Sequence, residues 1–494
     1  MANAPAEAPA GRNVSKAAFW AAVETAGAQG SAFLFFVVFA RLLSPHEFGV
    51  YALAMAIVGA VNMILFQGFG DGLIQAQRVD DEATSTAFWT NMMLATAMVA
   101  GLQVAARCAQ SWFGEPMLGP VVAWLSLLCF PRALVSVHSA LYRQSLDLRI
   151  FAVRTVTGSL VGGLVGVALA LAGFGIWALV VSQFIQSALI AAIMWRATAW
   201  RPRFLFSRPA FHSLFAFSRH FMAASVISSC IDDLASVVVG LSMDFTAVGY
   251  FSVALRVLRA AIIVVMTPLQ LVMMPALSRI AHLKSQFGAA YTDMVVVTAM
   301  VWLPLAAGLG LAAPALIPLV FGAQWAGAVP VIQAMSFVGL TMPLWTFSGQ
   351  ALSALGRPDA FAGMAFWQLG LYCAAFPLAV HGGVVAVGWT WAALSAVMVP
   401  VSLTRLRRLS GLDVGRLLAD AARIALSGCA MVAAALAVEG VLPAGAWAVA
   451  GGEAAGLAAY AGSLAVLLPR RLTRLYAMAR SIIPVLAFRR RQVQ

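Results

Sequence analysis

Long apolar stretches alternate with short polar segments along almost the whole chain. A membrane-spanning helix needs about 20 apolar residues at a rise of about 1.5 Å each. Stretches of this kind lie near residues 17–39, 48–67, 86–106, 119–137, 155–173, 176–195, 219–241, 248–274, 292–313, 328–349, 361–380, 384–403, 421–441 and 446–468. The pattern predicts an all-α integral membrane protein with about 14 transmembrane helices.

Two of these spans share a short pattern at an offset of 200 residues. The matched positions carry a glycine, an aromatic residue and an alanine: Gly49, Tyr51 and Ala54 in the first copy, Gly249, Phe251 and Ala254 in the second. The offset pairs the second span with the eighth, and a shift of six spans preserves orientation. We therefore predict two six-helix lobes, residues 1–200 and 201–405, related by a pseudo-twofold axis along the membrane normal. Residues 406–494 would add two extra helices and a basic tail.

Composition supports the membrane assignment and leaves little room for a soluble domain. Hydrophobic residues make up 62% of the 494 positions and charged residues 10%, against about 25% charged residues in ordinary soluble domains. The five cysteines and six histidines are scattered and show no metal-binding spacing. A membrane glycosyltransferase or polymerase would need a sizeable outer loop with acidic catalytic residues, and the loops predicted outside are short. We expect neither an enzyme nor a resident cofactor.

The positions of the basic residues predict the orientation of the chain. With both termini in the cytoplasm, 26 of the 31 Lys and Arg residues lie in inner segments, as the positive-inside rule requires. Basic inner loops facing an anionic leaflet account for the net charge of +13 without nucleic acid. The chain is therefore expected in a cytoplasmic membrane, with its basic loops and both termini on the inner side.

Arg256 and Arg259 fall within a predicted span. At spacing i and i+3 they share one helix face, and a charge facing lipid costs about 2.5 to 3.5 kcal/mol on insertion scales, so an interior cavity is the favoured direction. Snorkelling towards the outer surface is the alternative. Arg132, predicted about six residues from an inner helix end, is a second candidate with the same alternative. Arg143 and Arg149, near Tyr142 in an inner loop, could meet an arriving diphosphate, although ordinary topology also explains them.

The acidic candidates are Asp232 and Asp233, with Glu24 on the first span. A hairpin about residues 242–247 would place Asp233 at the depth of Arg256. One interpretation is a structural ion pair between them. The other is a pair that separates when the substrate diphosphate binds Arg256 or when the acid is protonated. Glu24 and Gln29, beside Thr25, could face the cavity, or Glu24 could lie at the inner interface.

Further polar or helix-interrupting residues are interpreted as structural. They are Asn62 and Gln67 as interhelical hydrogen-bonding groups, Glu439 and Glu453 as interfacial, and Pro268, Pro304, Pro343, Pro377 and Pro400 as breaks that suit moving helices.

An ordered set of short motifs resembles one family over residues 17–410. The motifs are ARLLSPHEFGVYALA (40–54), STAFWTN (85–91), FGEP (113–116), ALYRQSLDLR (140–149), GFGIWALV (173–180), WRPRF (200–204), DDLASVVVG (232–240), VGYFSVALR (248–256), PALSR (275–279) and ALGRPD (354–359). Together they are similar to the Wzx and WzxC type oligosaccharide flippases. Phe251 departs from the pattern, where the family usually has a second tyrosine, and so does Asp232, which adds a second acid beside the usual one.

The resemblance implies the MATE-like fold of the multidrug, oligosaccharidyl-lipid and polysaccharide (MOP) flippase superfamily. It also implies a function, the transfer of an undecaprenyl-diphosphate-linked oligosaccharide from the cytoplasmic to the periplasmic leaflet by alternating access, for lipopolysaccharide or exopolysaccharide synthesis. Expected partners are the lipid-linked oligosaccharide, membrane lipids, and polysaccharide polymerase and export machinery, with coupling to H⁺ or Na⁺ as an option. The alternatives are an ion-coupled multidrug extruder of the same fold and a non-transporting membrane assembly factor.

Overall fold

The computed structural model describes residues 10–66, 81–144, 149–213, 215, 233–339, 341–443, 445–469 and 471–473. Every regular element in these ranges is helical. The α-helices are α1 (Ala10–Leu42), α2 (Pro45–Phe66), α3 (Asp81–Phe113), α4 (Leu118–Ser126), α5 (Cys129–Gln144), α6 (Arg149–Leu171), α7 (Ile176–Ala197), α8 (Asp233–Ser242), α9 (Phe245–Arg279), α10 (Lys284–Phe321), α11 (Val329–Ser336), α12 (Thr341–Ala354), α13 (Pro358–Ala379), α14 (Gly383–Ser410), α15 (Val414–Glu439) and α16 (Ala446–Leu467).

The described residues contain nine helical segments long and apolar enough to cross a membrane, or ten if the bent pair Ala323–Gly339 and Thr341–Ala354 forms one span. One of the nine, Gly363–Ser410, includes most of α13 and all of α14, two helices that pack against each other around a 3-10 turn. The all-α membrane fold is confirmed, and the count of 14 stays a prediction.

The prolines inside the spans do not interrupt their helices. Helix α10 continues through Pro304, α13 through Pro377 and α14 through Pro400. In a membrane protein, neighbouring helices and small local adjustments can satisfy the carbonyl that a proline leaves free. The interpretation of these three residues as helix breaks was therefore wrong, and the bend described above lies elsewhere, next to residue 340.

The chain divides into two compact units, Met1–Ser252 and Val253–Gln494. In the first unit, α1 packs along α6 through small residues. Ser31 donates a hydrogen bond of 2.8 Å to Ser159, and Gly163 faces the ring of Phe35 so closely that a methyl group would collide with it. Small residues allow membrane helices to approach closely, because dispersion contacts rather than water exclusion hold them together.

The two copies of the repeated pattern meet at a reciprocal glycine crossing within the first unit. A methyl group at Gly49 of α2 would overlap the carbonyl oxygen of Phe245 in α9, and one at Gly249 would overlap the carbonyl oxygen of Pro45. Phe245 lies four residues before Gly249, and Pro45 lies four residues before Gly49. The two contacts are therefore equivalent under the offset of 200 residues. The crossing has the local symmetry that the sequence repeat predicts, and both positions require glycine because backbone lies directly against backbone.

In the second unit, ion pairs link the C-terminal helix pair, α15 and α16, to α10. Arg471, which follows α16, pairs with Asp420 of α15 at 2.8 Å and also with Asp293 of α10. Arg423 reaches the other oxygen of Asp420 at 3.2 Å. Asp420 is 4% exposed and Arg471 is 7% exposed, so the pairing is largely shielded from solvent.

Glu439 and Glu453 are partly buried within the protein, and their position at the membrane interface stays a prediction. One carboxylate oxygen of each is buried and has no hydrogen-bond partner in the described chain. Glu453 packs beside Gly308 of α10, and Glu439 packs beside Gly452. Both acids therefore belong to the packing of the C-terminal helix pair.

Candidate functional site

Helix α9 carries the two arginines that the sequence places within a span. Arg256 and Arg259 have exposed side chains, whereas Leu255, Val257 and Leu258 between them are buried. The helix thus packs through its apolar side and projects both guanidinium groups from the other. Their spacing of i and i+3 holds them on one face, as the sequence predicts.

The same face of α9 leads to a polar cavity further along the helix. Gln270 lies 11 residues beyond Arg259, which at about 100° and 1.5 Å per residue places it about 20° around the axis and about 16 Å along it. Gln270 lines a cavity of about 290 Å³ with residues of α12: Trp345, Thr346, Gly349, Gln350 and Ser353. An arginine pair and an uncharged polar cavity therefore lie on one stripe of the second unit.

Helix α12 is amphipathic, and its apolar face fixes the orientation of the polar one. Leu344, Phe347, Ala351 and Leu352 are buried. On this side the Tyr291 hydroxyl of α10 lies 2.9 Å from the Ser348 hydroxyl, and a hydrogen bond joins them. The cavity-lining positions 345, 346, 349, 350 and 353 follow a helical repeat on the other side. The sequence analysis did not identify these residues. In TMPLWTFSGQALSA, polar and apolar residues alternate at helical spacing, and this pattern indicates an amphipathic helix.

Asp233 begins helix α8 and directs its carboxylate towards α2. A methyl group built on Gly59 would lie 3.9 Å from the Asp233 Oδ2 atom. Gly59 is the position in the first repeat that corresponds to Arg259 in the second. Asp232 lies outside the described residues. The ion pair between Asp233 and Arg256 stays a prediction.

Arg132 lies deeper in its helix than the sequence interpretation assumed. Helix α5 extends to Gln144 rather than ending near residue 137, so 12 residues, or about 18 Å at helical rise, separate Arg132 from that end. The side chain of Arg132 is exposed and close enough to Tyr51 of α2 for an electrostatic interaction. The two interpretations of Arg132, snorkelling and substrate contact, stay predictions.

The candidates on the first span face different directions. Glu24 accepts a hydrogen bond of 3.4 Å from the Thr155 hydroxyl of α6, so it belongs to the packing between α1 and α6. Gln29 and Thr25 lie on the exposed side of α1. Of these three residues, Gln29 and Thr25 are the ones accessible to a ligand.

The basic residues of the predicted inner loop lie at the adjoining ends of α5 and α6. Arg149 is exposed, and its guanidinium carbon lies 5.7 Å from the ring centre of Trp20, a cation–π arrangement. Tyr142 donates a hydrogen bond of 2.6 Å to the carbonyl of Ala197. The side chain of Arg143 lies outside the described part of the chain, as do the side chain of Asn62 and the whole of Gln67.

The two arginines on α9 suit an anionic ligand. Among the described residues there is no group of three His, Cys, Asp or Glu side chains that could hold a metal. A guanidinium is planar, stays charged at any depth, and donates paired hydrogen bonds to phosphate oxygens. Amide and hydroxyl groups such as those of the cavity both donate and accept hydrogen bonds.

Solved structures with the same fold include flippases and drug transporters. A structure titled "Lipid II flippase MurJ, inward closed conformation" aligns with a TM-score of 0.75 at 11% identity, over 91% of this chain and 99% of that one. An inward-facing multidrug resistance MATE family transporter of the MOP superfamily aligns with a TM-score of 0.62 at 15% identity, over 80% and 99%. These likenesses show the fold, and they confirm the MATE-like architecture predicted from the sequence.

Curated relatives carry names from polysaccharide biosynthesis. The chain is 28% identical over 404 residues to the succinoglycan biosynthesis transport protein ExoT of Rhizobium meliloti (strain 1021), covering 79% of this chain and 82% of that protein. It is 22% identical over 350 residues to the lipopolysaccharide biosynthesis protein WzxC of Escherichia coli (strain K12), covering 69% and 70%. The resemblance found in the motifs is confirmed. The sequence profile of the polysaccharide biosynthesis protein family matches residues 38–330, more than half of the chain, and the chain therefore belongs to that family.

Proposed function

We propose that the chain moves an undecaprenyl-diphosphate-linked oligosaccharide from the cytoplasmic to the periplasmic leaflet by alternating access. The observation that carries the proposal is the pair of exposed arginines on one face of α9, in a chain whose family and fold are those of polysaccharide biosynthesis proteins and lipid flippases. Transport of a lipid-linked sugar, rather than its synthesis, is the activity that such a site supports.

The physical problem explains why arginines are needed. A diphosphate and several sugar hydroxyls would lose their hydration in the bilayer core, and each unsatisfied polar group there costs several kcal/mol. Arg256 and Arg259 replace that hydration with charge-assisted hydrogen bonds to the diphosphate. The isoprenoid tail stays in lipid.

The direction of transport follows from the proposed topology. With both termini in the cytoplasm of a bacterium, the end of α9 at Arg279 faces the leaflet where lipid-linked sugars are assembled, and Arg256 lies nearer the periplasm. Polysaccharide polymerase and export machinery would then receive the unit on the outer side.

Asp233 is the proposed site of ion coupling, with Asp232 beside it in the sequence. The support is the position of the Asp233 carboxylate against Gly59, where protonation or Na⁺ binding would change the charge between α8 and α2. Flipping measured in proteoliposomes with and without a pH or Na⁺ gradient tests this. Equal rates in wild type and in the double variant D232N/D233N, with the gradient dependence retained, would exclude the role.

A multidrug extruder remains the alternative because the MATE transporter shares the fold. Cationic drugs call for acidic and aromatic groups in the cavity, and two exposed arginines would repel them. A membrane assembly factor would not need these charges at all.

The decisive experiment is a deletion of the gene in its native host. We expect surface polysaccharide to disappear and its lipid-linked repeat unit to accumulate where added periplasmic glycosidases do not reach it. Re-expression of the full chain should reverse both effects. Accumulation of a unit that is accessible from the periplasm would instead indicate a defect in polymerisation and contradict the proposal.

A further inference from the structure

The cavity between α9 and α12 differs in chemistry from the arginine pair. Its six lining residues include two amides, two hydroxyls and an indole, and none of the six carries a charge. Gln270, Trp345, Thr346, Gln350 and Ser353 are all half-buried. A diphosphate has no cation to meet here, so the cavity suits a neutral ligand with several hydroxyl groups.

The lining groups fit the two surfaces of a sugar ring. The flat face of Trp345 can cover the C–H face of a pyranose, while amide and hydroxyl side chains match hydroxyl groups because they donate and accept hydrogen bonds. Gly349 lies on the same face of α12 as Trp345 and Gln350 and adds no side chain to the lining. In the described chain, none of these polar side chains forms a hydrogen bond with another residue.

The size and place of the cavity limit what it holds. A volume of about 290 Å³ lies at the lower end of small-molecule sites, about 300 to 1,000 Å³, and admits one or two sugar rings rather than a whole oligosaccharide. The cavity lies about 16 Å from Arg259 along the same face of α9. A diphosphate at the arginines would therefore direct its attached sugar chain along this stripe.

We propose that Gln270, Trp345, Thr346, Gln350 and Ser353 form a glycan subsite that binds a neutral sugar ring of the lipid-linked oligosaccharide. The inference rests on the proposed function and adds a site of sugar selectivity that is separate from diphosphate binding. The Tyr291–Ser348 hydrogen bond lies on the opposite side of α12, so it leaves the polar side of this helix to the ligand.

Binding to the purified full chain in lipid nanodiscs tests the subsite. The probes are undecaprenyl diphosphate and the glycosylated lipid extracted from cells lacking this chain, each titrated by native mass spectrometry. We expect W345L and Q350A each to weaken binding of the glycosylated lipid about tenfold while binding of undecaprenyl diphosphate stays within about twofold. W345F, which keeps a ring face, should retain most of the affinity.

Matched controls are Q333A and W367L, since both side chains are exposed on neighbouring helices and away from the cavity. They should leave the affinities of both lipids unchanged. Equal weakening of both lipids by W345L and Q350A, or no weakening of either, would overturn the subsite. A wild-type chain that binds neither lipid would instead overturn the proposed function, and the subsite with it. Unchanged binding of undecaprenyl diphosphate also shows that a variant is folded.

Discussion

At the scale of single residues, the cationic site is confined to one half of the repeat. The positions of Arg256 and Arg259 correspond to Ala56 and Gly59 in the first half. Ala56 is 6% exposed, and Gly59 lies against the carboxylate of Asp233. The first repeat therefore packs at the positions where the second repeat carries charge.

Arg259 allows charge and hydrogen-bonding geometry to be separated. We expect R259Q to abolish polysaccharide export at a normal protein level, and R259K to retain part of it because the charge persists without the planar fork. Export per unit of membrane protein is the measurement. R107Q, which changes an exposed arginine of α3, should export normally, and full export by R259Q would rule out a role for Arg259 in substrate binding.

Charged candidates could be found from sequence because a charge in an apolar span stands out by its cost. The glycan subsite could not be found in this way. Thr346, Gln350 and Ser353 are uncharged residues that membrane helices commonly tolerate, and their relation to Gln270 depends on how two helices distant in sequence pack. The distance from Arg132 to the end of α5 differs from the prediction for another reason, because hydropathy locates a span better than it locates the end of a helix.

At the scale of helices, a close approach at glycine and a shielded cluster of charges are two of the contacts that join the described elements. The glycine crossing of α2 and α9 leaves no room for a side chain, whereas the Arg471 pairing links three helices by electrostatics. The sequence repeat pointed to the first contact. No periodicity predicted the second, since Asp293, Asp420 and Arg471 are far apart in the chain.

The crossing should not tolerate a methyl group. G249A would force α2 and α9 apart, and overpacking of this kind typically costs about 1 to 3 kcal/mol, so we expect a lower melting temperature and yield in detergent. G370A is the control, because a methyl group there meets nothing within 4 Å and alanine favours the helix. Equal melting temperatures for the two variants would contradict the backbone contact.

Arg423 and Arg471 provide a matched test of burial, because both pair with Asp420. The side chain of Arg423 is 52% exposed and that of Arg471 is 8% exposed. R471M removes the arginine that pairs with Asp293 and Asp420 in a place shielded from solvent. We expect the free energy of unfolding to fall by about 3 kcal/mol. This is the lower end of the range for breaking a buried ion pair, because Arg423 still pairs with Asp420. R423M should lower the free energy of unfolding by no more than about 1 kcal/mol. The measurement is unfolding of the purified protein in detergent, and a larger loss for R423M would contradict the burial argument.

At the scale of the whole molecule, hydropathy and repeat analysis were sufficient for the fold class, since a bilayer permits few ways to satisfy the backbone. Helix boundaries needed the structure: α10 runs over Lys284–Phe321, far beyond the predicted span 292–313. The extension at the start, residues 284–291, is more polar than the apolar window, so hydropathy does not register it. The extension at the end, residues 314–321, is apolar, and the helix continues through Pro314 and Pro318.

The orientation of the chain is open to direct labelling. We expect a cysteine at Ser242 to react with an impermeant maleimide from the periplasm, and one at Phe204, which is 90% exposed, to react only after the membrane is permeabilised. The native cysteines must first be replaced, because Cys373 and Cys429 are exposed. The reversed labelling pattern would contradict cytoplasmic termini.

The reciprocal glycine crossing also bears on the origin of the chain. In an isologous interface of two identical subunits, residue i of one meets residue j of the other, and j meets i. Gly49 with Phe245 and Gly249 with Pro45 reproduce that relation inside one polypeptide. The crossing is the interface that a homodimeric ancestor would have had before gene duplication and fusion. In such a dimer an arginine at position 59 would have occurred in both copies, so an arginine pair carried by one repeat alone requires that the two halves diverged after they were joined.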